Sequence, residues 1–363
     1  MSGRRRNSSA ELLAAAIVAA CVAGLPMAAQ TASTTPSFHL GGFVDATVSR
    51  TIDTHRNDFS FSELDLYANA QLSDSWSAFG EGLVQHVGRG SDADVGRYGL
   101  EGELERLYAA YSRSDSFRVQ AGRVYTGIID WNERENRGRF LQTSIDVPAI
   151  ARRQEQGGAW PLHFLGGWAS GRIPGAAGLR YGMGIGQGRG QRVDDVAMFV
   201  RGDVSPAGLL SLSIEPDSLT GFRLGVSALG DSIPAAEGKY REIDRTVSTS
   251  YAKGGIEFRS EWSRMDHRLR SSGRTYITEG WYALLSVRLG GRLDKLRPYV
   301  LLDRLDVAID EPYLANVPDQ HSWAVGSRWD ASPRLAFKFD YRFQSRLAPR
   351  ARDAVRLQAA ISF

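Results

Sequence analysis

Ala354-Val355-Arg356-Leu357-Gln358-Ala359-Ala360-Ile361-Ser362-Phe363 closes the chain with a two-residue rhythm. Val355, Leu357, Ala359, Ile361 and Phe363 fall on one face of an extended strand, and Arg356, Gln358 and Ser362 fall on the other. Period-two alternation gives a strand with two unlike faces. A strand ending on an aromatic carboxyl terminus suits a wall with lipid outside and water inside better than the core of a soluble sandwich.

The same rhythm recurs upstream. Phe38, Leu40, Val44, Ala46 and Val48 alternate with His39, Asp45, Thr47 and Ser49. Leu64, Leu66, Ala68 and Ala70 alternate with Glu63, Asp65, Tyr67, Asn69 and Gln71. Leu179, Tyr181, Met183 and Ile185 alternate with Arg180, Gly182, Gly184 and Gly186, and Leu335, Phe337, Phe339, Tyr341 and Phe343 with Lys338, Asp340, Arg342 and Gln344. Lys, Asp and Arg beside aliphatic and aromatic residues require two faces that meet very different solvents. Past residue 29 no apolar run approaches the length of a spanning helix, so any membrane insertion is by closed strands.

Short turns at Ser73-Asp74-Ser75, Arg113-Ser114-Asp115, Pro216-Asp217-Ser218, Gly254-Gly255 and Ser332-Pro333 interleave with longer charged connections. The long ones fall near 50–58, 88–100, 128–156, 189–207, 232–241, 269–273, 309–319 and 346–353. Eight long connections imply an all-β, transmembrane antiparallel β-barrel of 16 strands, with short turns on one side and long loops on the other.

The beginning of the chain reads as an export leader. Arg4, Arg5 and Arg6 precede an apolar run from Leu12 to Ala29, followed by polar residues to Ser37. This divides the chain into a leader over 1–29, a linker over 30–37 and a barrel over 38–363. Cleavage after Ala29 would leave no cysteine, because Cys21 is the only one. The alternative is lipidation at Cys21. Removing the leader takes three arginines and one glutamate from a formal charge of +3, leaving a nearly neutral chain without a nucleic-acid surface.

Leader, strand count, terminal Phe363 and the long connection after the fifth strand together resemble a bacterial outer-membrane porin over the whole mature chain. Val119-Gln120-Ala121-Gly122-Arg123, with Trp131 to Gln142 and Ser144-Ile145-Asp146-Val147-Pro148, is most similar to the phosphate-selective porin group. The resemblance implies passive diffusion of small hydrophilic solutes, a homotrimer with one pore per subunit, and a third extracellular loop folded into the lumen. It also implies that Phe363 is an assembly signal read by the barrel assembly machinery, with outer-membrane lipid and lipopolysaccharide as surroundings.

Five acids of the 128–156 connection, Asp130, Glu133, Glu135, Asp146 and Glu155, balance five arginines, Arg134, Arg137, Arg139, Arg152 and Arg153. Inside a lumen, opposed groups of this kind would set a transverse field. Gly182, Gly184, Gly186 and Gly188 give one strand a bare face, and the loop backbone is expected against it. Arg123 is the leading constriction candidate: the parity of Phe117, Val119 and Ala121 points it at lipid, and a bulge at Gly122 would turn it inward. Arg180, Lys338, Arg342 and Arg356 already sit on the polar parity. Acids on that parity are as numerous as bases, so the one-sided basic ladder of the phosphate group is missing and only a slight anion preference is expected.

Trp76, Trp262, Trp281, Trp323 and Trp329 fit interfacial girdles. Only Tyr67 and Tyr282 stand on the polar parity, too few for a lumenal aromatic track. No catalytic residues, metal ligands or cofactor motif emerge. The six histidines form no ligand-spaced pair, Asp92-Ala93-Asp94-Val95-Gly96 lacks the closing Glu of a calcium loop, and Ser263, Asp266 and His267 are the only local Ser, Asp and His grouping. The competing readings are a plugged barrel acting as scaffold, adhesin or receptor, and an outer-membrane hydrolase.

Overall fold

The computed structural model describes residues 36–88, 98–135, 138–193, 205–236, 238–345 and 352–363. The leader with Cys21, most of the linker, the Asp92-to-Gly96 stretch and Arg137 lie outside the described residues. Sixteen strands are present: β1 (Ser37–Thr51), β2 (Asn57–Gln71), β3 (Trp76–Gly88), β4 (Tyr98–Ser114), β5 (Phe117–Tyr125), β6 (His163–Arg172), β7 (Leu179–Gln187), β8 (Pro206–Ile214), β9 (Phe222–Ala235), β10 (Gly238–Lys253), β11 (Ile256–Leu269), β12 (Thr275–Val287), β13 (Leu296–Asp306), β14 (Gln320–Ser332), β15 (Leu335–Ser345) and β16 (Arg352–Ser362).

Each strand pairs with its chain neighbours, and β16 returns to β1 to close the barrel. The closing seam runs antiparallel from Phe43↔Ser362 to Thr51↔Ala354. Phe363 completes it by exchanging two backbone hydrogen bonds of 3.0 Å with Gly42. Closure leaves no unpaired edge, which lipid would penalise. β9 runs to Ala235 and β10 starts at Gly238, so the long connection expected over 232–241 is mostly strand.

The outer wall carries the apolar parity. Leu357 and Ile361 of β16 and Met183 and Ile185 of β7 are exposed there, as are Trp76, Trp262, Trp281, Trp323 and Trp329. The inner wall departs from a uniformly watery lining. Leu209, Leu229, Met265, Leu284, Leu301 and Leu305 face inward from β8 to β13 and are buried with Ile128, Ile129, Trp131, Ile150 and Trp160 of the β5–β6 connection. A protein segment inside the barrel replaces water over that half of the wall, so apolar residues on both faces of those strands are stable.

Candidate functional site: the lumen and its inserted loop

The segment from 126 to 162 between β5 and β6, here L3, crosses the barrel interior. At its start the Ile128 carbonyl accepts from Ser227 of β9 at 2.8 Å. Glu261 of β11 then accepts from the backbone N–H groups of Asp130 and Trp131 at 2.7 and 2.8 Å, and from the Tyr282 hydroxyl at 2.6 Å. These two donors open the short helix α1 (Asp130–Arg134), whose first amides have no partner within the helix. Trp131 seals the anchor edge-on against Tyr282, ring centroids 5.4 Å apart.

Beyond α1, L3 reaches the opposite wall. Lys338 of β15 donates to the carbonyls of Arg139 at 2.6 Å and Ser144 at 3.0 Å. Arg328 of β14 donates to the carbonyls of Phe140 and Gln142. The returning limb is held by Asp303, which accepts from the Ala149 N–H at 2.9 Å, while Ile150 is fully buried. A chain segment with this many exposed amides and carbonyls is stable in a barrel only when wall side chains satisfy them.

Six charged side chains of the loop pair with charges on the wall. Asp130 pairs with Arg223 at 3.0 Å, Arg134 with Glu215 at 2.7 Å, and Glu135 with Arg259 at 2.7 Å. Arg139 lies 3.7 Å from Glu63. Asp146 pairs with both Arg342 and Arg356, the latter at 2.6 Å. Arg152 donates to Gln320 at 2.5 Å, and Arg153 pairs with Glu105. Glu133 faces open space on the short-turn side. Loop charges and wall charges thus meet at contact distance, and pairs this close produce little long-range field. Glu135 is a loop group whose carboxyl burial pushes above the ordinary glutamate range, by more than Arg259 lowers it.

Arg123 is turned away from lipid, but not by a bulge at Gly122. The β4–β5 register runs unbroken through Tyr108↔Gly122 and Leu107↔Arg123, and Gly122 instead adopts a φ of +136° that a side chain would strain. The bulge is in β4, where the β3 register shifts between Glu81 and Gly82. Arg123 is 1% exposed, bonded to the Glu105 carbonyl and to Glu103, both at 3.0 Å. It braces the wall rather than lining open space. Glu103, Glu105 and His163 do bring ligand atoms within 4.8 Å of one another. Arg123 and Arg153 already pair with those carboxylates, so cationic groups occupy the place a metal ion would take.

The bare face of β7 also has a different occupant. A side chain at Gly182 or Gly184 would collide with the Trp168 indole of β6, not with loop backbone. Trp168 fills the space that the glycines leave, and Gly127 of L3 rests on the far side of that ring.

Open volume remains on the short-turn side of L3. A cavity of about 670 Å³ lies between the loop and the inner face of β1 to β7. Arg118, Gln120, Asn69 and Gln71 face it, with Arg180, which is 3.7 Å from Asp115. The Arg118 Nε has no hydrogen-bond partner among the described residues. Phe43, Tyr67, Phe79, Tyr108, Tyr125 and Trp168 line it as well, so the lumen holds more rings than parity allowed. The β4 bulge moves Tyr108 to the inner face, and no local pattern announces it. Asp303 and Glu105 escaped notice for related reasons: Asp303 sits among leucines on both parities, and Glu105 lies at the bulge. Ser263 and His267 face inward while Asp266 faces outward and pairs with Arg245 and Arg264, so those three residues cannot act together.

A closed barrel of sixteen antiparallel strands, apolar outside and crossed by the loop after its fifth strand, defines the porin fold. No protein-family model matches the chain, and no curated protein matches it in sequence. Among solved structures it is similar to the anion-selective porin from Comamonas acidovorans, with a TM-score of 0.63 and 14% identity over 91% of this chain and 100% of that one. It is also similar to Salmonella typhi OmpF in complex with daunomycin, with a TM-score of 0.62 and 12% identity over 90% of this chain and 97% of that one. The outer membrane channel DcaP of Acinetobacter baumannii aligns over 93% of this chain and 100% of its own, with a TM-score of 0.61 and 10% identity. Likeness at these identities speaks for the fold.

Proposed function

We propose that the protein is an outer-membrane porin that passes small hydrophilic solutes by diffusion, with a slight preference for anions. The observation that carries this reading is the cavity of about 670 Å³ beside L3, lined by amides and aromatic rings, with Arg106, Arg118 and Arg180 against Glu81 and Glu133. Arg118 and Arg180 favour anions, while paired loop charges keep that preference small. The same reading places the chain in the bacterial outer membrane after removal of the 1–29 leader, assembled as a homotrimer amid lipopolysaccharide, with Phe363 read during insertion. Outward-facing Arg241 and Arg268, register partners on β10 and β11, suit lipid phosphates.

Purified protein in planar bilayers across a salt gradient tests this: conductance steps in threes with an anion-leaning reversal potential support it. A second reading, a plugged barrel serving as scaffold, rests on the anchoring of L3 to both walls by Glu261, Arg328, Lys338 and Asp303. A folded, heat-modifiable barrel without conductance would favour the plug. The N-terminal mass of the mature chain separates cleavage after Ala29 from lipidation at Cys21.

A further inference from the structure

Where L3 meets two other long connections, one imidazole carries two contacts. His267 of β11 is fully buried, with Nε2 donating to Glu242 of β10 at 2.5 Å and Nδ1 against the carboxylate of Glu311. Glu311 belongs to L7, the β13–β14 connection over 307–319. Glu242 also accepts at 2.6 Å from Arg189 of L4, the β7–β8 connection that begins at Gly188. Arg189 in turn donates to the Ala159 carbonyl on the returning limb of L3 at 2.5 Å, and its backbone N–H donates to Asp231 of β9 at 2.7 Å. Tyr313 of L7 completes the circuit: its hydroxyl donates to the Gly190 carbonyl at 3.3 Å, and its ring lies 5.3 Å from the Arg189 guanidinium.

A neutral imidazole has a single N–H and cannot donate at both nitrogens, so the two carboxylate contacts need one proton more than the neutral ring supplies. The surroundings make that proton decisive. Glu242 and Asp244 of β10, Glu311 of L7 and Asp231 of β9 are all buried carboxylates, and they stand against two cations, Arg189 and His267. Neither oxygen of Asp244 has a hydrogen-bond partner among the described residues, so acid already exceeds base here. Tyr240 of β10 and Tyr313 pack on the His267 ring, Tyr276 of β12 is its register partner, and the three buried rings keep water away. Once the extra proton leaves, Glu311 is a buried carboxylate facing an imidazole lone pair, and L7 is the element that can carry it into water.

We infer that His267 is a positioning residue for the pore: while it holds both protons it ties L7 to the wall beside L4 and L3, and as pH rises and one proton is lost, L7 swings out and the long-loop mouth widens. This inference rests on the pore reading and adds a proton-dependent element to it.

Single-channel conductance in planar bilayers, followed from about pH 6 to about pH 10, tests it. A polarity-sensitive fluorophore on Asn316→Cys, exposed in L7, reports the loop directly. Wild-type conductance rises about twofold on the alkaline side, and the label shifts over the same interval. Glu311→Gln removes the need for the extra proton, because its amide donates to the Nδ1 lone pair while Nε2–H still serves Glu242. Its conductance stays low across the whole range. Glu311→Ala removes the tie and gives the high conductance throughout, and heat-modifiable mobility verifies that both variants fold. A loop held by packing alone would leave the glutamine variant with the wild-type pH profile. That result, or conductance and label both flat with pH in wild type, overturns the inference and leaves the pore intact. If no channel opens at any pH, the pore reading fails and the label decides alone: an alkaline shift that Glu311→Gln abolishes supports the tie, and no shift overturns it.

Discussion

Two arginines of β5, Arg118 and Arg123, show how position within one strand separates a selective charge from a structural one. Arg118 faces the cavity, whereas Arg123 is bonded to Glu103 and the Glu105 carbonyl. We expect Arg118→Ala to lower the anion-to-cation permeability ratio by about twofold, the scale of one partly solvated charge. Arg123→Ala is expected to leave that ratio nearly unchanged and to destabilise the barrel, because it removes the nearer of the two arginines beside Glu103 and the donor to the Glu105 carbonyl. Reversal potentials and thermal unfolding of both variants check this.

Glu135 supplies the pH dependence of selectivity. Burial raises its carboxyl first; the Arg259 charge opposes this, Glu257 and Asp130 add to it, and Arg134 opposes it. A folded-state pKa above the unfolded value contributes stability that is full below the unfolded pKa and lost as pH rises through the folded one. On acidification Glu135 therefore takes its proton before an ordinary glutamate, and Arg259 keeps only Glu257 as a partner. The anion-to-cation ratio should climb as pH falls, starting at a higher pH than an ordinary glutamate would give. Glu135→Gln should hold the higher ratio at neutral pH with a flatter curve; a curve matching wild type would remove Glu135 from the account.

At the scale of elements, L3 is held by a few anchors with separable effects. Lys338 is buried and bonded to two loop carbonyls, so Lys338→Met leaves both without that donor, a cost of about 1–3 kcal/mol. We expect larger and noisier conductance steps and faster trypsin cleavage near Arg139. The strand alternations of β1, β2, β7, β15 and β16 were legible because each depends only on neighbours two residues apart. Those of β12 and β13 were obscured: Leu284 and Leu301 face inward as surely as Leu285 and Leu302 face out, since one side meets lipid and the other meets L3. The glycine face of β7 was seen, yet its occupant was misassigned. A ring from the adjacent strand fills such a gap as well as a loop backbone does, and local sequence does not distinguish them.

For the whole molecule, closure is the event on which everything else depends. Phe363 contributes two backbone hydrogen bonds to the β1–β16 seam, and its deletion should cost about 1–3 kcal/mol. Slower appearance of the heat-modifiable form during refolding is the expected sign; an unchanged rate would assign Phe363 no part in closure. The sequence by itself determined the class of wall: sixteen amphipathic strands, one long connection after the fifth, and most arginines and carboxylates on the parity opposite the apolar one. Those are properties of short windows, dictated by the two-residue period of a strand between unlike solvents. Only the tertiary structure decided which loop charge meets which wall charge, that Arg123 braces while Arg118 faces space, and that His267 joins L7 to the wall. Those outcomes join residues up to 210 positions apart, as Asp146 and Arg356 are, and they follow from closing the barrel around its own loop.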